Sequence, residues 1–210
     1  MEKSTAGDVV LKLAERWPNP RLELEHSNAF ELLIATILAA QCTDTRVNAV
    51  TRTLFKEYPT PESIVNEKLD VLAEKIRSTG FYRNKAKLVI ACCVRLVRDF
   101  AGKVPDTLEE LMTLPGVGRK TANIILGNVF GKPAIAVDTH VKRVANRVGL
   151  ANSSNVDKIE QELMDILEVR HWSLFSNLAV LHGRYICQAR RPRCGECNIF
   201  DVCNWPEKQV

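Results

Sequence analysis

The chain lacks a long hydrophobic run. Its longest apolar stretch, residues 32–40, is interrupted by Thr36 and falls well short of the roughly 18 residues that suggest a membrane span. It also lacks linkers, low-complexity runs and internal repeats, which excludes disordered arrays and solenoids. Period-two alternation is missing outside residues 134–137, so a sheet has little to build from. Residues 1–8 show no basic-then-apolar leader, and the seven cysteines are an odd count; both argue against a secreted disulfide framework. Strong charge is absent too. The 29 Lys and Arg against 25 Asp and Glu give +4, too mild on its own to mark a nucleic-acid binder. What is present is the composition of an ordinary folded protein of 210 residues, 46% hydrophobic and 26% charged, enough for one compact domain or two small ones sharing a core.

Helical periodicity fills most of the chain, and the expected class is all-α. Val9, Val10, Leu13 and Trp17 mark a first amphipathic helix, stopped by Pro18 and Pro20, which cannot donate the next helical hydrogen bond. Asn28 and Glu31 resemble a capping pair opening an apolar helix over residues 30–40, the expected central buried element. Asp44 is placed to cap the next helix, with Val47, Val50 and Leu54 on one face. Leu69, Leu72 and Ile76 repeat the pattern up to Gly80, and residues 83–100 form a long helix closed by Gly102. Thr107 and Glu110 have capping-box spacing. Further helices are expected up to Phe130, from Asp138 or Thr139 to Gly149, over 156–167 and over 172–187.

Four of the seven cysteines, Cys187, Cys194, Cys197 and Cys203, lie within 17 positions, in a tail too short to bury a core of its own. Four thiolates on one centre would supply the missing cross-link, against the alternative of four unrelated small buried residues. Tetrahedral sulfur suits zinc or an iron–sulfur cluster. Zinc sites favour two close pairs, and only Cys194 and Cys197 are close, so the spacing leans toward [4Fe–4S] without deciding it. Cys42, Cys92 and Cys93 follow the helical apolar pattern and read as core thiols. Between the first two tail cysteines, Arg190, Arg191 and Arg193 sit on a loop anchored at both ends; they are either a solvated charge run or guanidiniums held for phosphate.

Leu114-Pro115-Gly116-Val117-Gly118 joins two helices by a turn whose glycines permit positive φ and leave backbone N–H groups uncovered at a helix N-terminus. That suits an anion, although a plain helix–helix turn has the same look. Lys120 follows on the first turn, where the helix dipole disfavours a cation and so favours the neutral amine that a Schiff-base nucleophile needs; an exposed phosphate-binding lysine fits the position equally. Asp138 is an ordinary N-cap by position, and a carboxylate there could also stabilise a cationic sugar or take a proton from an attacking amine.

Residues 114–122 (LPGVGRKTA), Val137-Asp138-Thr139-His140, Leu181-His182-Gly183-Arg184 and the C-x6-C-x2-C-x5-C tail together resemble the endonuclease III family, helix-hairpin-helix DNA glycosylases of base-excision repair. The resemblance covers nearly the whole chain. It implies a six-helix barrel domain over 22–132 and a discontinuous domain of 1–21 and 133–210 holding a [4Fe–4S] cluster on Cys187, Cys194, Cys197 and Cys203, with DNA lying across the cleft between them. It further implies Lys120 as the Schiff-base nucleophile at C1′ with Asp138 as its carboxylate partner. Gln41 would enter the space left by the flipped base, Phe81 would act as a wedge, and Gly116 and Gly118 would contact phosphate. Arg119, His140, Arg190, Arg191 and Arg193 would be further DNA contacts. Thr79 departs from the Ile or Val common before Gly80. The implied activity is removal of damaged pyrimidines from double-stranded DNA with cleavage 3′ to the abasic site, by a monomer in the cytoplasm associated with the nucleoid and no membrane. Lys120 and the short C-terminus argue against the adenine-mismatch branch.

Two other readings compete: a monofunctional glycosylase in which Asp138 activates water, and a non-catalytic DNA-binding module with a structural zinc. The distribution of charge bears on all three. Residues 119–147 carry six Lys or Arg and one Asp, net +5, and residues 182–195 carry four Arg and no acid, net +4, leaving −5 elsewhere. The basic residues gather around the proposed lysine and the cysteine loop, as a phosphate-binding face requires.

Overall fold

A computed structural model of the chain describes residues 3–209; Met1, Glu2 and Val210 lie outside the described residues, and with them the start of the stretch read for a leader. Among the described residues there are eleven α-helices, three short 3₁₀ turns and no strand. The all-α class therefore holds, and no described helix is long and apolar enough to cross a membrane. The chain divides into two compact units, one of Leu22–Gly131 and one built from the segments before and after it.

Within Leu22–Gly131 the sequence pattern dictates the centre. Helix α2 (Ala29–Leu38) is apolar on all sides and is buried continuously from Leu32 to Leu38. Such a helix has no face to offer water, so α3 (Asp44–Glu57), α6 (Tyr82–Phe100) and α8 (Arg119–Asn128) pack around it. Its one buried hydroxyl, Thr36, donates to the carbonyls of Leu32 and Leu33 and so leaves no polar group unpaired. Helices α4 (Pro61–Val65) and α5 (Leu69–Lys75) lie on α6, and α7 (Leu108–Met112) lies on α8. Asn28 caps α2, accepting from the Glu31 amide at 2.9 Å, while the Glu31 carboxylate turns back to the Ser27 amide rather than to Asn28. Thr43, not Asp44, caps α3; Asp44 becomes its first residue, where its charge still favours the dipole. Cys92 and Cys93 are core thiols as expected, but Cys42, in the turn after α2, is half-exposed and is not part of the core.

The other unit is built on α1 (Lys3–Arg16), α9 (Thr139–Val148), α10 (Val156–Ile166) and α11 (Trp172–Tyr185). Val9 and Leu13 of α1, Val141 and Val144 of α9, Leu163 of α10 and Phe175 of α11 share one core. Gly183 sets the α9–α11 approach. A Cβ there would stand 2.9 Å from the His140 Cβ, so only glycine fits. Residues 134–137, the one stretch with period-two alternation, are buried yet belong to no strand. The Ala134 and Ala136 amides donate to Ser173 Oγ and Ser176 Oγ of α11 at 3.2 and 3.1 Å, which satisfies buried N–H groups without a ladder.

Candidate functional site

The turn between α7 and α8 is anchored by two buried side chains, Leu114 and Val117, whose main chains are joined by a Val117 N–H to Leu114 carbonyl bond of 3.1 Å. Gly116 has φ +83°, so the backbone favours glycine, while a Cβ on it would only touch Leu88 at 3.4 Å and Ile37 at 3.5 Å. Gly118 differs. Its φ is −97°, open to any residue, and a Cβ there would meet nothing within 4 Å. Nothing inside the protein explains the missing side chain. Gly118 is the N-cap of α8 and supplies no side-chain cap to the first amides of the helix, which lie at an exposed surface. Arg119 and Lys120, the first two residues of α8, are exposed beside them.

Gln41 and Phe81 stand in the same unit on two short turns, after α2 and before α6. Both are exposed, Phe81 to 67%, and both have non-glycine positive φ, +54° and +47°. Such backbone is uncommon and strained, and it projects a side chain off a tight turn where a regular element would lay it down. Thr79 is buried, its hydroxyl donating to the Ile76 carbonyl at 2.8 Å, so the polar side chain is locally satisfied.

Asp138 belongs to the other unit. It is the N-cap of α9, with Oδ1 accepting from the His140 and Val141 amides at 2.8 and 2.7 Å. Oδ2 has no hydrogen-bond partner among the described residues. His140, on the first turn, has Nδ1 3.1 Å from Arg143 Nη2. Burial, then the Arg143 and Arg184 charges, hold His140 below the ordinary histidine value despite the Asp138 carboxylate. It is therefore neutral at neutral pH. Arg143 Nη2 also donates to the Gly183 carbonyl at 2.8 Å, and the His140 ring hydrogen-bonds the same glycine's main chain.

The four tail cysteines line one pocket, closed on its apolar side by Val148, Ile186, Ile199 and Phe200. No three Cys, His, Asp or Glu side chains converge on a single-ion position among the described residues, as a mononuclear zinc site would need. Four thiols around a common pocket fit a cluster, where each binds a different iron. Burial pushes the Cys197 thiol up to about 11 and raises Cys203, a cost that coordination as thiolate reverses. The chemistry of the donor set, four soft sulfurs in a dry wall, fits [4Fe–4S].

Two residues unnoticed in the sequence hold this loop. Arg143 Nε donates to the Cys187 carbonyl at 2.9 Å, and Arg147 donates to Cys187 Sγ at 3.4 Å and to the Gln188 and Ala189 carbonyls at 2.8 and 3.0 Å. Arg147 also lies 3.9 Å over the Trp205 ring. A signal existed: two arginines four residues apart share one helix face, where repulsion requires an electronegative partner. Of the loop arginines, Arg190 and Arg191 are exposed, while Arg193 stands 3.7 Å from Glu196 in an exposed pair worth little.

Comparison with known proteins adds an independent line. Residues 34–169 match the model of the HhH-GPD superfamily base excision DNA repair proteins, and residues 187–203 match the iron-sulfur binding domain of endonuclease III. The chain is 44% identical to endonuclease III of Synechocystis sp., covering 96% of this chain and 93% of that one. It is 41% identical to endonuclease III of Escherichia coli K12 over 99% of each. Among solved structures, a trapped endonuclease III–DNA covalent intermediate superposes with a TM-score of 0.91 at 43% identity, covering 97% of this chain and 96% of that one. A thermostable thymine-DNA glycosylase superposes at 0.88 with 22% identity, over 98% of each chain, a likeness of fold alone.

Proposed function

We propose how the residues divide the work in a chain that belongs to the endonuclease III family, the iron–sulfur helix-hairpin-helix DNA glycosylases of base-excision repair. The protein is a DNA glycosylase with AP-lyase activity. In our reading residues 22–132 form the barrel domain with the hairpin, and the flanking segments form the cluster domain. Its substrate is duplex DNA carrying a damaged pyrimidine or an abasic site, and it acts as a monomer on the nucleoid in the cytoplasm.

A base inside the duplex is out of reach, so it must be unstacked, at a cost of a few kcal/mol that is least for damaged bases. Phe81 wedges the stack and Gln41 fills the space left behind. The N-terminus of α8 at Gly118, with Arg119, takes a backbone phosphate, and Arg190, Arg191 and Arg193 of the cysteine loop, with His140, supply further DNA contacts. Lys120 Nζ attacks C1′ as the glycosidic C–N bond breaks and the base leaves with the electron pair. Asp138, its Oδ1 fixed by two amides, offers Oδ2 to the developing sugar cation or to the proton shed by the amine. The C1′–O4′ bond then breaks with its electron pair going to O4′, which takes up a proton, and the opened sugar is held as an imine on Lys120. Loss of the acidified C2′ proton expels the 3′ phosphate, and water releases the enzyme. Cys187, Cys194, Cys197 and Cys203 hold the [4Fe–4S] cluster, which cross-links a tail too short to fold alone and so fixes the arginine loop.

The observation that carries the lysine assignment is the α8 N-terminus: an exposed amine on the first turn beside uncapped amides, at a glycine that no internal contact requires. Borohydride reduction on duplex containing thymine glycol is expected to trap a covalent adduct with the wild type and none with Lys120→Gln. Active wild-type protein that gives no adduct would transfer the chemistry to a water activated by Asp138.

A further inference from the structure

Lys85, on the first turn of α6, is 3% exposed, and its ammonium donates to two main-chain carbonyls, those of Leu38 and Thr79, at 2.7 Å each. These carbonyls close α2 and the 3₁₀ turn Arg77–Thr79, where helix ends leave acceptors unpaired and favour a cation. Burial pulls Lys85 below the ordinary lysine value, partly offset by the nearby Cys42 sulfur. Burying an ammonium is expensive, and methionine would fill much the same space without that cost, so stability alone is a poor reason for lysine here.

Geometry supplies a better one. Three residues beyond Leu38 the chain enters positive φ at Gln41, and directly after Thr79 it does so at Gly80 and again at Phe81. The Lys85 amide also donates to the Phe81 carbonyl at 3.0 Å. One residue thus grips the main chain at three points around both strained tips. Strained backbone persists only where its surroundings over-determine it. The third non-glycine residue of this kind, Ala101, merely closes α6. We propose that Lys85 is a positioning residue for reading duplex DNA, its ammonium tying the turns of Gln41 and Phe81 to each other so that wedge and filler enter the stack together. The proposal rests on the assignment of those two side chains made above.

The test compares cleavage of an abasic site in duplex with the same site in single-stranded DNA, where no stack is entered. Alongside it, fluorescence of 2-aminopurine placed opposite a tetrahydrofuran abasic analogue reports insertion. For Lys85→Met the duplex-to-single-strand ratio is expected to fall about tenfold, as sub-ångström misplacement implies, and the fluorescence rise to be lost at saturating protein. Lys85→Arg, which reaches both carbonyls, is expected to recover both. Should Lys85→Met fail to fold, Lys85→Gln carries the same comparison. A folded variant whose two rates fall in parallel, or not at all, overturns the proposal. Gln41→Ala and Phe81→Ala are the reference: if neither changes the ratio, the underlying assignment fails, whereas an effect in both without one in Lys85→Met removes Lys85 alone.

Discussion

Two helix N-termini in this molecule solve the same electrostatic problem in opposite ways. At α9 the bare amides are answered from within, by Asp138 Oδ1 on the His140 and Val141 N–H groups. At α8 the cap position holds Gly118, which has no side chain to offer the amides. A helix that omits a cap worth about 1 kcal/mol, at a position with open space for one, supports our proposal that an anion from outside takes its place. The satisfied terminus can spare a carboxylate oxygen for a cationic sugar, and the unsatisfied one is suited to phosphate with an amine beside it.

The sharpest way to break this contrast is at Asp138. Asp138→Asn keeps an acceptor for the two amides and removes the charge, so glycosylase turnover should fall by roughly 10²-fold or more with little change in melting temperature. Asp138→Ala should lose the cap as well, lowering the melting temperature by about 2–4 °C. Equal activity in wild type and Asn variant would reduce Asp138 to a cap. At the other terminus, Gly118→Asp supplies the missing cap. Stability should rise by about 0.5–1 kcal/mol in denaturant titration, while affinity for abasic-analogue duplex drops roughly tenfold, because a carboxylate now stands where a phosphate is needed. A parallel gain or loss in both would contradict the reading. Gly116→Ala should instead lower stability by about 1–3 kcal/mol, since φ +83° is a backbone conformation that a side chain strains. The smallest effect concerns His140. Its folded-state value is depressed, so the unfolded chain binds the proton first and stability is lost as pH falls below about 6.5. The difference in melting temperature between wild type and His140→Gln should change between pH 7.5 and 5.5, with the wild type more acid-sensitive.

Local features were legible in the sequence because their causes are local. The Asn28 cap, the turn at Gly116, the stop at Gly149 and the apolar α2 each follow from residues within a few positions. The α3 cap fell one residue off because Thr43 and Asp44 both qualify and packing of Val47, Val50 and Leu54 fixes the register. Residues 134–137 were not legible: their partners are serines about 40 positions away. Nor was Lys85, whose two carbonyls lie 47 and 6 residues off in sequence. In the candidate site, residue types and spacing marked Lys120, Asp138 and the four tail cysteines as candidates and left the roles of the first two to the family resemblance, but did not show that Gly118 lacks an internal reason to be glycine, nor that Arg143 and Arg147 clamp the cysteine loop.

The placement of α1 has a consequence for how the protein is made. Val9, Val10 and Leu13 are fully buried, in a core completed by Phe175 and Ile199, and Arg16 reaches the Glu196 carbonyl across 180 residues. Leu22–Gly131 has all of its own contacts to hand once Gly131 has been synthesised. Helix α1 therefore waits, apolar face uncovered, until residues beyond Gly131 have been synthesised, and the cysteine segment reaches it only after the intervening unit can already have folded.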